Sequence, residues 1–128
     1  MKKIDLLRRA GANLDQILYN IERSSEDVVY LDIAAYHLQQ AVEKLLKHCV
    51  VVEGRSYKET HDILRLCNQM VTFGVRFPDW VFINAKTLTK YMTNFECEDS
   101  SVGDKREIYE LYRLTKNWID EIKSRECK

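Results

Sequence analysis

The chain has 128 residues, with 20 basic and 20 acidic side chains, a formal net charge of zero and a pI near 6.8. Zero net charge excludes broad electrostatic attraction to nucleic acid as the driving feature. With 45% hydrophobic and 31% charged residues, the composition suits a packed core and excludes a disordered chain.

The first predicted helix runs from Lys3 to Arg23, with Leu7, Gly11, Leu14, Leu18 and Ile21 along one face. Gly11 falls inside that stripe, where a missing side chain would let another helix approach closely. Glycine costs about 1 kcal/mol against alanine in a helix interior. Ser24 and Asp27 read as the capping signal of a second helix, Glu26 to Glu53, about 40 Å long at ~1.5 Å per residue. Its buried face is expected to hold Leu31, Ala34, Ala35, Leu38, Ala41, Val42, Leu45, Cys49 and Val52. His37, Gln40, Glu43, Lys44 and Lys47 recur at the same spacing on the other side. Gly54 stops the helix, since glycine accepts the left-handed conformation that closes a C-terminus.

Thr60 is expected to cap a third helix, His61 to Phe73, burying Ile63, Leu64, Cys67, Met70 and Val71. Gly74 ends it. Pro78 suits the first turn of a fourth helix that continues to about Asn94, anchored by Trp80, Ile83, Leu88 and Met92. A polar, acidic loop follows from Glu96 to Gly103. Asp104 and Glu107 resemble a capping box opening the last helix, whose apolar face holds Ile108, Leu111, Tyr112, Thr115, Trp118, Ile119 and Ile122. Apolar alternation at period two is scarce. The expected fold is all-α: an antiparallel up-and-down bundle of four to five helices, one domain over residues 1–128.

No uninterrupted apolar run is long enough to span a bilayer. The start, MKKIDLLRRAGANLDQ, lacks the apolar stretch of a signal peptide, so a cytoplasmic protein without membrane contact is expected. Cys49, Cys67, Cys97 and Cys127 are far apart and form no CxxC pair, which argues against a zinc site or a disulfide framework. No glycine-rich phosphate loop, metal cluster or nucleophile elbow is present, so no metal or cofactor is expected. Tyr19, Tyr30, Tyr36, Tyr91, Tyr109 and Tyr112 fall in predicted helices as half-buried residues, a subset of which could build a homodimer face.

The segment QQAVEKLLKHCVVVEGRSYKETHDILRL resembles the central hairpin of the HEPN domain family. Gln39, Gln40, Ala41, Glu43, Lys44, Lys47, Gly54, Thr60, His61 and Asp62 stand where that family's pattern places them. The helical run ending Thr89-Lys90-Tyr91 is similar to a later family segment, and departs from it by carrying Asn94-Phe95-Glu96 where arginine, tyrosine and proline are usual. The resemblance implies a helical bundle that binds nucleotide or RNA, or that presents substrates to a minimal nucleotidyltransferase in a toxin–antitoxin-like pair. The ligand-binding candidates are then His37, Gln40, Glu43, Lys44, Lys47, His61, Asp62, Lys90 and Tyr91, with Lys44 and Lys90 facing a phosphate-bearing ligand.

The plainer account of the same stripe is a solvated helix face, with Glu43–Lys47 an i,i+4 pair of about 0.3 kcal/mol. Asp62 in a first helical turn would complement the helix dipole, and the His61 ring would brace the loop against a carbonyl or carboxylate. The rival reading is a metal-independent HEPN-type RNase toxin. Catalytic members carry an arginine and a histidine with four to six residues between them, the arginine for phosphate charge and the histidine for proton transfer. Arg55-SYKET-His61 meets the bare spacing but straddles the loop between the second and third helices. The family's motif lies nearer the C-terminus, and no histidine follows His61. A third reading is a pure interaction module working through its dimer surface.

Overall fold

The computed structural model describes residues 3–96 and 104–126. These form six helices: α1 Lys3–Arg23, α2 Val29–Val52, α3 Ile63–Phe73, α4 Asp79–Ile83, α5 Ala85–Glu96 and α6 Lys105–Glu126. No strand occurs among the described residues. Helix α2 is the hub. It packs against α1, α3, α5 and α6, so apolar residues are needed around most of its circumference. Ala34, Ala35, Leu38, Ala41, Val42, Leu45, Leu46 and Val50 are all fully buried there. The three alanines let neighbouring backbones come close.

The α1–α2 hairpin is closed by a local clamp. Arg23 donates to the Tyr19 and Tyr30 hydroxyls at 2.5 and 3.1 Å, and its guanidinium lies 4.6 Å from the Tyr30 ring centre. Helix α2 begins at Val29 rather than at Glu26, because Asp27 accepts the Val29 N–H at 3.0 Å and the residues before it turn. The second expected cap also moves. Asp62, not Thr60, is the N-cap of α3, accepting the Arg65 N–H at 3.3 Å, while Thr60 accepts the Asp62 N–H at 3.1 Å. His61 therefore stays in the loop. Gly54 and Gly74 carry φ of 74° and 70°, the left-handed conformation expected at those helix ends.

Three expectations of packing are corrected. The fourth predicted helix is two helices, α4 and α5, which meet at Asn84: this residue leaves helical geometry at φ −102° and ψ 12°, and its side chain, at 2.8 Å, joins its backbone N–H, at 3.0 Å, on the Trp80 carbonyl. In α1 the buried row is Leu6, Ala10, Leu14, Ile17 and Ile21, while Leu18 is exposed. Two overlapping apolar rows share Leu14 and Ile21, and contact with α2 selects the one periodicity did not favour. Ile83, Val71 and Val52 are also exposed, because each lies at or near a helix end that turns outward.

Asp104 caps α6 by accepting the Glu107 N–H at 2.7 Å. Glu107 does not complete the box; its carboxylate accepts from the Tyr91 hydroxyl and ties α5 to α6. Cys67 is buried and Cys49 half-buried, and burial pushes their thiols up to about 12 and about 11. Cys97, Cys127 and most of the acidic loop lie outside the described residues. Among the described residues, no helix is long and apolar enough to cross a membrane.

Candidate functional site

Gln39, Glu43 and Lys47 rise one turn apart on α2, beneath the loop that carries Tyr57, Glu59 and His61. Glu43 is 4% and Lys47 6% exposed, and Gln39 is fully enclosed. This corrects the expectation of a solvated stripe. The face is polar in sequence, but the loop before α3 covers it. The Glu43 carboxylate sits 2.8 Å from His61 Nδ1, accepts from Gln39 Nε2 at 3.1 Å and pairs with Lys47 Nζ at 3.0 Å. Gln39 also donates to the His61 carbonyl at 2.9 Å. Burial alone would raise the Glu43 pKa; hydrogen bonds from His61, Lys47 and Gln39, with the Lys47 charge, outweigh it and hold the carboxyl below its ordinary value. Lys47 further faces the Tyr57 ring at 5.0 Å and Glu59 at 3.8 Å. Every buried side-chain polar group here has a partner, so this network is a brace between helix and loop.

A second polar cluster opens along the seam of α1 and α2. Asn13 Nδ2 donates to His37 Nδ1 at 3.0 Å, which places the neutral ring's proton on Nε2. The Asn13 side-chain carbonyl oxygen is buried and has no hydrogen-bond partner among the described residues. Burial, then the charge of Lys44, lowers the His37 pKa. Lys44 donates to Gln40 Oε1 at 3.2 Å, and among the described residues no carboxylate lies within ion-pair distance of it. Burial lowers its pKa, Glu43 pulls the other way, and the nearby charges of Lys47 and Arg9 lower it further. Gln40 joins the two clusters by donating to Gln39 Oε1 at 2.7 Å. Phe95, from the segment that departs from the family pattern, stacks on Tyr36 at 4.5 Å, and Tyr36 meets His37 edge-on at 5.7 Å.

Of the sequence candidates, His37, Gln40 and Lys44 share the seam, while Glu43, Lys47 and His61 share the closed brace. Asp62 is the α3 cap. Lys90 is exposed on α5. Tyr91 is 2% exposed, its hydroxyl committed to Glu107; burial first, then Glu107, raises its pKa. Arg55 and His61 lie in different surroundings, with the Arg55 guanidinium 4.5 Å over the Phe73 ring and the His61 ring on Glu43. Sequence reasoning missed Arg9 and Asn13. They stand one turn apart on α1, but only the packing of α1 on α2 brings them to His37 and Lys44.

A family model described as HEPN domain matches residues 4–125. The chain belongs to the HEPN domain family. No curated protein and no solved structure matches it. Membership makes this HEPN chain a nucleotide- or RNA-related or RNase-like module. The helical hairpin whose residues carried the resemblance is the α2–α3 unit of the fold.

Proposed function

We propose that this HEPN protein is an accessory or binding module that holds a nucleotide or RNA on the α1–α2 seam, alongside a minimal nucleotidyltransferase. The observation that carries this reading is Lys44. A half-buried ammonium whose only bonded partner among the described residues is an amide oxygen, with Arg9 nearby and the Glu43 carboxylate already committed to Lys47 and His61, is short of negative charge. A phosphate would supply it. His37 offers an Nε2–H donor beside it, and the Tyr36–Phe95 stack gives an aromatic neighbour for a base. Arg55 and His61 are drawn apart into other contacts, which favours binding over the RNase toxin reading. The module is expected to act as a cytoplasmic homodimer.

Calorimetry with ATP, and fluorescence anisotropy with a short single-stranded RNA, test this with and without a nucleotidyltransferase. Lys44→Ala and Arg9→Ala should each weaken binding, and added salt should weaken it in the wild type. Unchanged affinity in both variants rejects the seam as the site. Absence of binding under every condition leaves the interaction-module reading.

A further inference from the structure

A second site stands apart from the seam and does not depend on it. The ends of α2, α3 and α6 meet around a cleft of about 640 Å³. Arg55, Arg76 and Arg125 line it, brought together from three segments distant in sequence. Three helix C-termini carry partial negative charge, so a cation at each is favoured without any ligand. Capping by these arginines would show guanidinium-to-carbonyl hydrogen bonds. Instead, the carbonyls of Val50 and Val51 accept from the backbone N–H of Arg55 and Gly54, and those of Met70 and Val71 from Val75 and Gly74. Among the described residues no guanidinium of these three arginines donates to a carbonyl.

The carboxylates in the cleft do not absorb them. Glu126 is engaged by His48 at 2.7 Å, and Glu53 makes no ion pair among the described residues. Arg125 comes only to 3.9 Å from Glu121, and Arg55 and Arg76 have no carboxylate within ion-pair distance among the described residues. The Arg55 guanidinium carbon is held 4.5 Å from the Phe73 ring centre, so part of its conformational freedom is already spent. A guanidinium matches phosphate with two parallel N–H donors, which an ammonium cannot do.

We infer that the cleft lined by Arg55, Arg76 and Arg125 binds phosphate groups, as the polyphosphate of a nucleotide or the backbone of an RNA strand. Tripolyphosphate titrated into the whole protein by calorimetry at low salt is the direct probe. Binding should weaken at least tenfold in Arg76→Ala/Arg125→Ala and by less in Arg76→Lys, which keeps the charge and loses the fork. Arg113→Ala removes the same charge about 18 Å along α6, at ~1.5 Å per residue, and should leave affinity unchanged. Circular dichroism checks that each variant stays helical. Competition then separates the sources: displacement by ATP assigns a nucleotide, and displacement by single-stranded RNA assigns a backbone, each in support. No binding at millimolar tripolyphosphate, equal affinity in the double variant, loss on Lys44→Ala instead, or displacement by neither competitor overturns the assignment.

Discussion

His61 Nδ1 lies 2.8 Å from Glu43 Oε1, joining the loop before α3 to the middle of α2. The imidazole is largely exposed, while the carboxylate it meets is enclosed and already paired with Lys47. Removing the carboxylate strands a buried ammonium. Glu43→Ala should therefore cost about 3–5 kcal/mol, the range for breaking a buried pair from one side. Urea unfolding at pH 7 measures it, and a loss under 1 kcal/mol would show that Lys47 finds another partner.

The same carboxylate predicts acid sensitivity. Its folded pKa is held below the ordinary 4.5, so the folded protein takes up this proton less readily than the unfolded chain. The stabilisation is then full above pH 4.5 and lost as pH falls below it. The stability gap between wild type and Glu43→Ala should shrink as pH falls below 4.5. A constant gap would mean the pair contributes nothing through its charge.

His37 gives a readout of the seam without any ligand. Burial, and then Lys44, depress its pKa below 6.5. Lys44→Ala should move the His37 midpoint part of the way back up, as followed by the ring proton shifts in NMR. An unmoved midpoint would separate Lys44 from the seam. The wild-type shift also makes the protein less stable as pH drops from 6.5, since the unfolded chain takes up the proton first.

Two glycine substitutions should have opposite signs. A Cβ built on Gly11 would meet Ile119 Cδ1 at 3.9 Å, an ordinary contact, so no close approach requires the glycine. Gly11→Ala should raise stability by about 1 kcal/mol through helix propensity. Gly74→Ala, forced to φ 70°, should lower it by about 1–2 kcal/mol although nothing crowds the site. Thermal melts compare the pair directly; a destabilised Gly11→Ala would show that α1 and α6 cannot give way.

Self-association is expected through the helices near the chain ends, α1 and α6. Sedimentation at tens of micromolar, where obligate dimers persist, should give twice the 15.2 kDa chain mass. A species of 15.2 kDa would exclude the dimer.

The helical hairpin of α2 and α3, its glycine stops and the Asp104 cap were legible because each rests on local chemistry. The state of Glu43 and Lys47 was not. Their spacing marks a polar face, but whether that face is wet depends on a loop folding over it, and nothing local reports that. The break at Asn84 was hidden because apolar spacing runs through it, from Trp80 to Leu88. Of the seam, the α2 half was readable and the α1 half was not. Arg9 and Asn13 acquire meaning only from the helix opposite.

Both tryptophans of the chain, Trp80 and Trp118, meet edge to face with ring centres 5.9 Å apart. Ultraviolet emission from this protein is thus a report from one corner, where α4 meets α6. Ligand at the α1–α2 seam could leave it silent, while loosening of that corner would shift it before the rest of the bundle melts. Fluorescence and circular dichroism midpoints that differ would show the corner opening as a separate unit.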